Sequence, residues 1–285
     1  MPSLTLEQYE ISIGSGHPLV VMAGLNVLED RDLAMRVGEH LKGVCDRLGL
    51  PYIFKASFDK ANRSSITSYR GPGMDEGLRI LSDVRDALGV PVVTDYHTPE
   101  QAEPVAEVAA VMQLPAFLCR QTDLVVAGAK AVADRGGWFH VKRGQFLAPW
   151  DAKNIISKVG ELPGDRNPTI MCERGVSFGY NNLVVDMLGI QAMQALGTPV
   201  TIDATHAVQL PGADPRTSGG STGGRREGVA VIAKAAVAAG ADGVFLEFHP
   251  NPDEALCDGP SCLALDQAEG LLKTLKAVHE VVADA

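Results

Sequence analysis

The chain has 285 residues, 46% of them hydrophobic and 21% charged, a globular composition that argues against extended disorder. Its formal net charge of −10 argues against a general nucleic-acid or membrane-surface binder, because both present anionic surfaces. No apolar run reaches the roughly 18 residues a membrane span needs. The first twenty residues lack the basic-then-apolar pattern of a secretory leader, and the five cysteines are scattered with no C-x-x-C pair, so a cytoplasmic setting with reduced thiols is the expectation.

The opening segment "YEISIGSGHPLVV" reads as a hairpin turning at Gly14-Ser15-Gly16, placed to plug one end of the sheet that follows. Strand-like runs then recur at 18–26, 51–57, 90–97, 109–116, 137–144, 168–175, 198–206 and 242–250. They are nearly all apolar rather than alternating, as expected for parallel strands covered on both faces. Amphipathic helical patterns separate them, from "EDRDLAMRVGEHLKGVCDRLG" to the closing "LDQAEGLLKTLKAVHEVVADA", and several end at glycine, the common left-handed cap. One of these helices is expected over "NNLVVDMLGIQAMQALG". Eight strand–helix units in one unbroken series predict an α/β fold, a (β/α)8 TIM barrel occupying residues 1–285 as one domain, with the hairpin at 1–17. A doubly wound sheet is the structural rival, but "AGLNVLED" after the first strand lacks G-x-G-x-x-G. The Gly/Ser/Thr-rich stretch around 207–226 reads as a mobile loop after strand seven.

In such barrels the C-terminal strand ends converge on one site. Here they carry Asn26, Lys55, Asp95 with His97, Gln113, Lys142 with Arg143, Arg174, Asp203 with His206, and Glu247 with His249. The segment "FKASFDKANRSS" adds Lys60, Asn62, Arg63 and Ser64 to the same rim. Cations beside hydroxyl and amide donors make a phosphate and polyol site. A focus of positive charge in an acidic protein points to reactants carrying several negative charges, such as a phosphoenol acid or a sugar phosphate. His206, Glu247 and Asp258 form an opposite group that could bind a divalent ion or move a proton to or from water. His97, His140 and His249 are expected by default to be structural or to support neighbouring site residues. "GGRREG" reads equally as an anion site at a helix N-terminus, a solvated lid edge or a subunit contact.

The chain resembles the 3-deoxy-D-manno-octulosonate 8-phosphate synthase family. The resemblance rests on "FKASFDKANRSS", "RGPG", "VTDYH", "QLPAFLCRQTDL", "VKRGQF", "CERG", "DATHAVQ", "TGGRR" and "CDGPS", spread over nearly the full length. "KANRSS" separates this subgroup from the related DAHP synthases, which have a K-P-R-T-S type segment there. The resemblance implies condensation of phosphoenolpyruvate with D-arabinose 5-phosphate and water, in lipopolysaccharide biosynthesis, by a homotetrameric barrel. It implies that Lys55, Lys142 and Arg174, with Lys60 and Gln113, hold phosphoenolpyruvate. Lys60 would also polarise the aldehyde oxygen. Asn62 and Asp95 would bind the pentose hydroxyls, Arg63 and Ser64 the pentose phosphate, reaching in from a neighbouring subunit, and Ala116 and Phe117 would line the pocket. Asn26, His206, Glu247 and Asp258 would position or deprotonate water.

The family has metal-dependent members, in which a cysteine at the end of strand one joins a histidine, a glutamate and an aspartate around the ion. By this resemblance the last three are His206, Glu247 and Asp258, but the strand-one position is Asn26. A neutral amide is a poor ligand for a borderline-soft divalent ion, so the expectation is the metal-independent type with no cofactor. The rival readings are a DAHP synthase-like condensation with erythrose 4-phosphate and a non-catalytic sugar-phosphate-binding barrel.

Overall fold

The computed structural model describes residues 3–164, 167–214 and 222–283. Eight parallel strands form a closed barrel: β1 (Val20–Val27), β2 (Tyr52–Ser57), β3 (Val92–Asp95), β4 (Val111–Leu114), β5 (Trp138–Lys142), β6 (Thr169–Glu173), β7 (Val200–Asp203) and β8 (Gly243–His249). Each pairs with the next, and β8 returns to β1 through Gly243↔Val20 to Glu247↔Gly24, which closes the barrel. The helices α1 (Arg31–Leu48), α2 (Met74–Leu88), α3 (Ala102–Val108), α4 (Thr122–Ala133), α5 (Lys153–Gly160), α6 (Leu188–Gln194), α7 (Val229–Ala238) and α8 (Ala268–Ala283) lie one in each connection and after β8.

Local chemistry sets the helix ends. The Asp30 carboxylate accepts from the Leu33 amide at 2.7 Å and caps α1, satisfying one of the first-turn donors that have no helical partner. Gly49 closes the same helix at φ 64°, a left-handed position where a side chain would be strained.

Two cores result from the period-two alternation of the strands. Outward residues such as Val21, Phe54, Met112, Val141 and Leu246 pack against the helices. Inward residues Val20, Met22, Ile53, Val93, Val111, Trp138, Ile170 and Phe245 fill the barrel, joined from below by Leu4, Leu6, Ile11 and Ile13. Those last four belong to an antiparallel pair, Ser3–Leu6 with Ile11–Gly14. Its reversal is the short 3-10 turn Glu7–Tyr9 with left-handed Glu10, not Gly14-Ser15-Gly16. The glycines instead lead from the hairpin into β1.

The same alternation, continued two residues further (four in β1), turns the barrel interior from apolar to polar. Above Met22 comes Asn26, above Ile53 comes Lys55, above Val93 comes Asp95, and above Val111 comes Gln113. Lys142, Asp203 and Glu247 complete the layer, all of them buried. Gly24 is required between them, since a Cβ there would stand 2.1 Å from the Lys55 carbonyl oxygen. The segment read as helix from Asn181 differs. Val176–Ser177 pairs with Leu183–Val184 as a small ribbon, and α6 begins only at Leu188. Of the loop read at 207–226, residues 215–221 lie outside those described. Its stems pair, Gln209 with Gly224 and Leu210 with Gly223. Among the described residues no helix is long and apolar enough to cross a membrane.

Candidate active site

At the C-terminal mouth of the barrel lies a cavity of about 560 Å³. Lys60, Lys142 and Arg174 all line it, so the three strand-end and loop cations share one space. Asp95 and Gln113 come to it from the barrel interior, His206 from the short helix after β7, and Asn62, Arg63 and Ser64 from the loop after β2. Ala116 and Phe117 close one side and Asp258 another. Arg63 and Ser64 line the cavity of their own chain.

Lys55 is placed differently from the expectation. It lies behind the cavity wall, 1% exposed, and its ammonium donates to the Leu25 and Asn26 carbonyls and to Glu247 Oε1, the last at 2.5 Å. Burial pulls its pKa down to about 8, while the Glu247 carboxylate acts in the opposite direction. Burial would raise the Glu247 carboxyl, but His206, Lys55 and Lys60 hold it well below the usual carboxylate range. The pair is therefore ionised at neutral pH and holds the ends of β1, β2 and β8 together.

The cations are also less bare than their sequence spacing implies. Lys142 is paired with Asp203, and its ammonium lies 3.7 Å from the centroid of the Phe245 ring, close enough for cation–π attraction. Phe245 divides the site from the core, with His140 stacked on it at 5.8 Å. Burial, and then Lys142, pull the His140 pKa down to about 3, so this imidazole is neutral. Arg143 is turned away from the cavity and forms a buried pair with Glu173. Glu173 Oε1 in turn accepts the Arg174 and Gly175 amides at 2.9 and 2.6 Å, fixing the backbone that aims Arg174. Lys60 makes no ion pair or side-chain hydrogen bond among the described residues. Burial acts to lower its pKa, but Glu247, Asp95 and Asp258 outweigh it and raise the value above that of an ordinary lysine.

Asp203 organises the other half of the site. It caps the short helix Ala204–Ala207 by accepting the His206 amide at 2.9 Å, and its second oxygen accepts His206 Nδ1 at 2.7 Å. With Nδ1 so engaged, His206 Nε2 faces Glu247 at 3.6 Å and Asp258 at 3.7 Å. Asp258 holds this place at φ 49°, a left-handed conformation unusual for a residue with a side chain. The Ser261 and Cys262 amides donate to its carbonyl at 2.9 and 3.2 Å.

Asn26 decides whether this group fits a divalent ion. Its Nδ2 donates to Glu247 Oε2 at 2.6 Å and lies 3.4 Å from Asp258 Oδ2. The two carboxylates fix the amide orientation, since the reverse would set an oxygen against them. A proton donor thus stands where a metal site would need an electron-pair donor, and the residues present do not fit a resident ion.

His97 lines the cavity and bonds Asp95 at 3.2 Å. The site also contains residues not singled out from sequence. Cys257 Sγ accepts from Arg63 Nη1 at 2.5 Å. Gln145 and Gln209 reach the cavity wall. His249 stays structural, bonded through Nδ1 to the Asn251 carbonyl at 2.6 Å. Of "GGRREG", Arg226 donates to Asp253 and to the Gly259 carbonyl, each at 2.8 Å, and so ties the loop after β7 to the loop after β8.

Comparison with known proteins agrees with this architecture. The family described as "DAHP synthetase I family" matches residues 3–284. The 2-dehydro-3-deoxyphosphooctonate aldolase of Citrifermentans bemidjiense is 53% identical over 272 residues, covering 95% of this chain and 96% of its own. The protein of the same name from Pseudomonas fluorescens Pf-5 is 54% identical over 272 residues, covering 95% and 93%. That of Hahella chejuensis is 52% identical over 282 residues, covering 99% and 97%.

Proposed function

The chain belongs to the DAHP synthetase I family, and from that premise we propose that it acts as a 2-dehydro-3-deoxyphosphooctonate aldolase, as its relatives are named. It joins phosphoenolpyruvate to D-arabinose 5-phosphate and water, giving 3-deoxy-D-manno-octulosonate 8-phosphate, a lipopolysaccharide precursor, and inorganic phosphate. The observation that carries this reading is the convergence of Lys60, Lys142 and Arg174 on one cavity that His206 and Asp258 also line. Such a cavity takes two anionic reactants and a water together.

In the reaction, C3 of phosphoenolpyruvate forms a bond to the aldehyde carbon, and the aldehyde oxygen takes a proton. Water adds at C2, loses a proton, and the C2–O bond to phosphate breaks, so phosphate leaves with its bridging oxygen. Lys142 and Arg174 fix the carboxylate and phosphate of phosphoenolpyruvate, and Gln113 lies beside them. Charge on the aldehyde oxygen is met by Lys60, whose ammonium is already in place and needs no rearrangement. Asn62 and Asp95 engage the pentose hydroxyls, while Arg63 and Ser64 take its phosphate beside Ala116 and Phe117. The group around His206, Asn26, Glu247 and Asp258 positions the water and accepts its proton. Lys55 acts from behind the wall, through Glu247.

Phosphate release from phosphoenolpyruvate, measured with a panel of four- and five-carbon aldose phosphates, tests the assignment. D-arabinose 5-phosphate is expected to lead erythrose 4-phosphate by at least about a hundredfold in kcat/KM. A preference for erythrose 4-phosphate would make the chain a DAHP synthase, and binding without phosphate release would make it a non-catalytic barrel.

The same proposal includes the metal-independent type, supported by the Asn26 amide donating into the carboxylate group. Activity is then expected to survive EDTA unchanged, and Asn26→Cys to gain stoichiometric Zn²⁺ binding, read by metal analysis after gel filtration. Loss of activity on chelation of the natural protein, restored by Mn²⁺ or Zn²⁺, would reverse this. We also place the enzyme in the cytoplasm as a homotetramer. Exposed apolar side chains at Phe117, Phe146, Phe178 and Tyr180, on neighbouring loops at the barrel mouth, favour burial against further copies.

A further inference from the structure

Gln209 opens the loop after β7, is 8% exposed, and is held in place by pairing with Gly224. Gly224 can carry no side chain, because a Cβ would stand 2.1 Å from Ser261 Oγ. The amide of Gln209 touches two opposite charges. Its Oε1 accepts from Arg174 Nη2 at 2.9 Å and its Nε2 donates to Asp258 Oδ2 at 2.9 Å. Both ends are therefore assigned by their partners: the oxygen must face the guanidinium and the amino group the carboxylate.

Without this amide, a guanidinium and a carboxylate on the same cavity wall would satisfy one another as a forked pair. Arg174 would then have both of its terminal nitrogens drawn toward Asp258. As it stands, Arg174 Nη1 is buried and has no partner among the described residues, although the side chain lines the cavity. A buried charged donor left unbonded is costly unless a ligand completes it.

We propose that Gln209 is a positioning residue for the anion subsite, an uncharged spacer that keeps Arg174 and Asp258 apart and so leaves Arg174 Nη1 for the incoming phosphoenolpyruvate anion. The inference deepens the function proposed above and rests on it for the identity of that anion. Gln209 touches no reacting atom itself. Its amide is what prevents the subsite from neutralising itself before the substrate arrives.

The test uses two variants of the full chain, with thermal midpoints recorded for each. Gln209→Glu sets a second carboxylate against Arg174, and Gln209→Leu removes the spacer with little change in volume. Both are expected to raise KM for phosphoenolpyruvate by roughly 10- to 100-fold, the range for losing a charge-assisted hydrogen bond. The change in kcat should be smaller than that in KM, and KM for D-arabinose 5-phosphate should stay within about threefold of wild type. Equal rises in both Michaelis constants, or an unchanged KM for phosphoenolpyruvate, would overturn the proposal. If Gln209→Glu fails to fold, Gln209→Leu decides. Calorimetric binding of inorganic phosphate separates this inference from the reaction it rests on. Weaker phosphate binding by the variants supports the spacer even if wild type turns over a different aldose, and equal binding refutes it.

Discussion

A Lys55→Met protein is expected to lose roughly 3–5 kcal/mol of stability, the range for removing one partner of a buried ion pair. The reason is what remains behind. Glu247 is fully buried, and its carboxylate is held ionised by His206, Lys55 and Lys60. With the ammonium gone, Glu247 Oε1 loses its 2.5 Å partner and the carbonyls of Leu25 and Asn26 lose their shared donor. A methionine fills the space of the stem but answers none of these groups. Urea unfolding should show a lower midpoint with an unchanged slope. A double variant, Lys55→Met with Glu247→Leu, should recover part of the loss, because replacing both members of a buried pair costs less than breaking it. The experiment also separates two roles. A lysine that only held substrate could be removed with little change in unfolding and a large rise in KM for phosphoenolpyruvate. That outcome would return Lys55 to the cavity wall.

Lys55 also illustrates how far the sequence could be read. The strands end in polar residues because the barrel's inward positions change from apolar to polar along each strand, and this is visible as a run of hydrophobics closed by a charge. Asn26, Lys142 and Arg174 were legible in that way, and so was the barrel itself, from eight repeats of one pattern. Position along the chain does not tell how deep a side chain sits. Lys55 lies two residues before the end of β2, one layer below the cavity, where Glu247 from across the barrel meets it. Gln209 was hidden for a related reason. An amide in a loop stem carries no charge to draw attention, and its importance comes from two partners 35 and 49 positions away. The hairpin turn was misplaced because Gly14-Ser15-Gly16 has ideal turn composition, whereas the actual reversal uses Glu10 in a left-handed conformation. The helix expected from Asn181 failed at its start, where positive φ at Gly179 and Asn181 turns the chain into a two-stranded ribbon. An apolar run such as "NNLVV" does not distinguish the two by periodicity.

Lys60→Met is expected to have the largest effect on catalysis, lowering kcat by about 10²–10³-fold, as removal of one preorganised oxyanion donor does. Lys60 is the cation of the site with no ion pair or side-chain hydrogen bond among the described residues, and it lines the cavity together with Asp95, Asn62 and Arg63. Burial alone would make it a weaker acid-holder, but Glu247, Asp95 and Asp258 raise its pKa above that of an ordinary lysine. It therefore stays protonated throughout the neutral range and cannot serve as the base. In the proposed reaction it stabilises the oxygen that becomes negative when the carbon–carbon bond forms. The sign of the pH dependence follows. In the wild type, no loss of kcat/KM assignable to Lys60 should occur until the pH passes the ordinary lysine value of about 10.4. A fall below that pH belongs to another group, and in Lys60→Met it should persist at the same position. Retention of more than about a tenth of wild-type kcat in Lys60→Met would refute the role, because a charge fixed beside the developing oxyanion cannot be removed so cheaply.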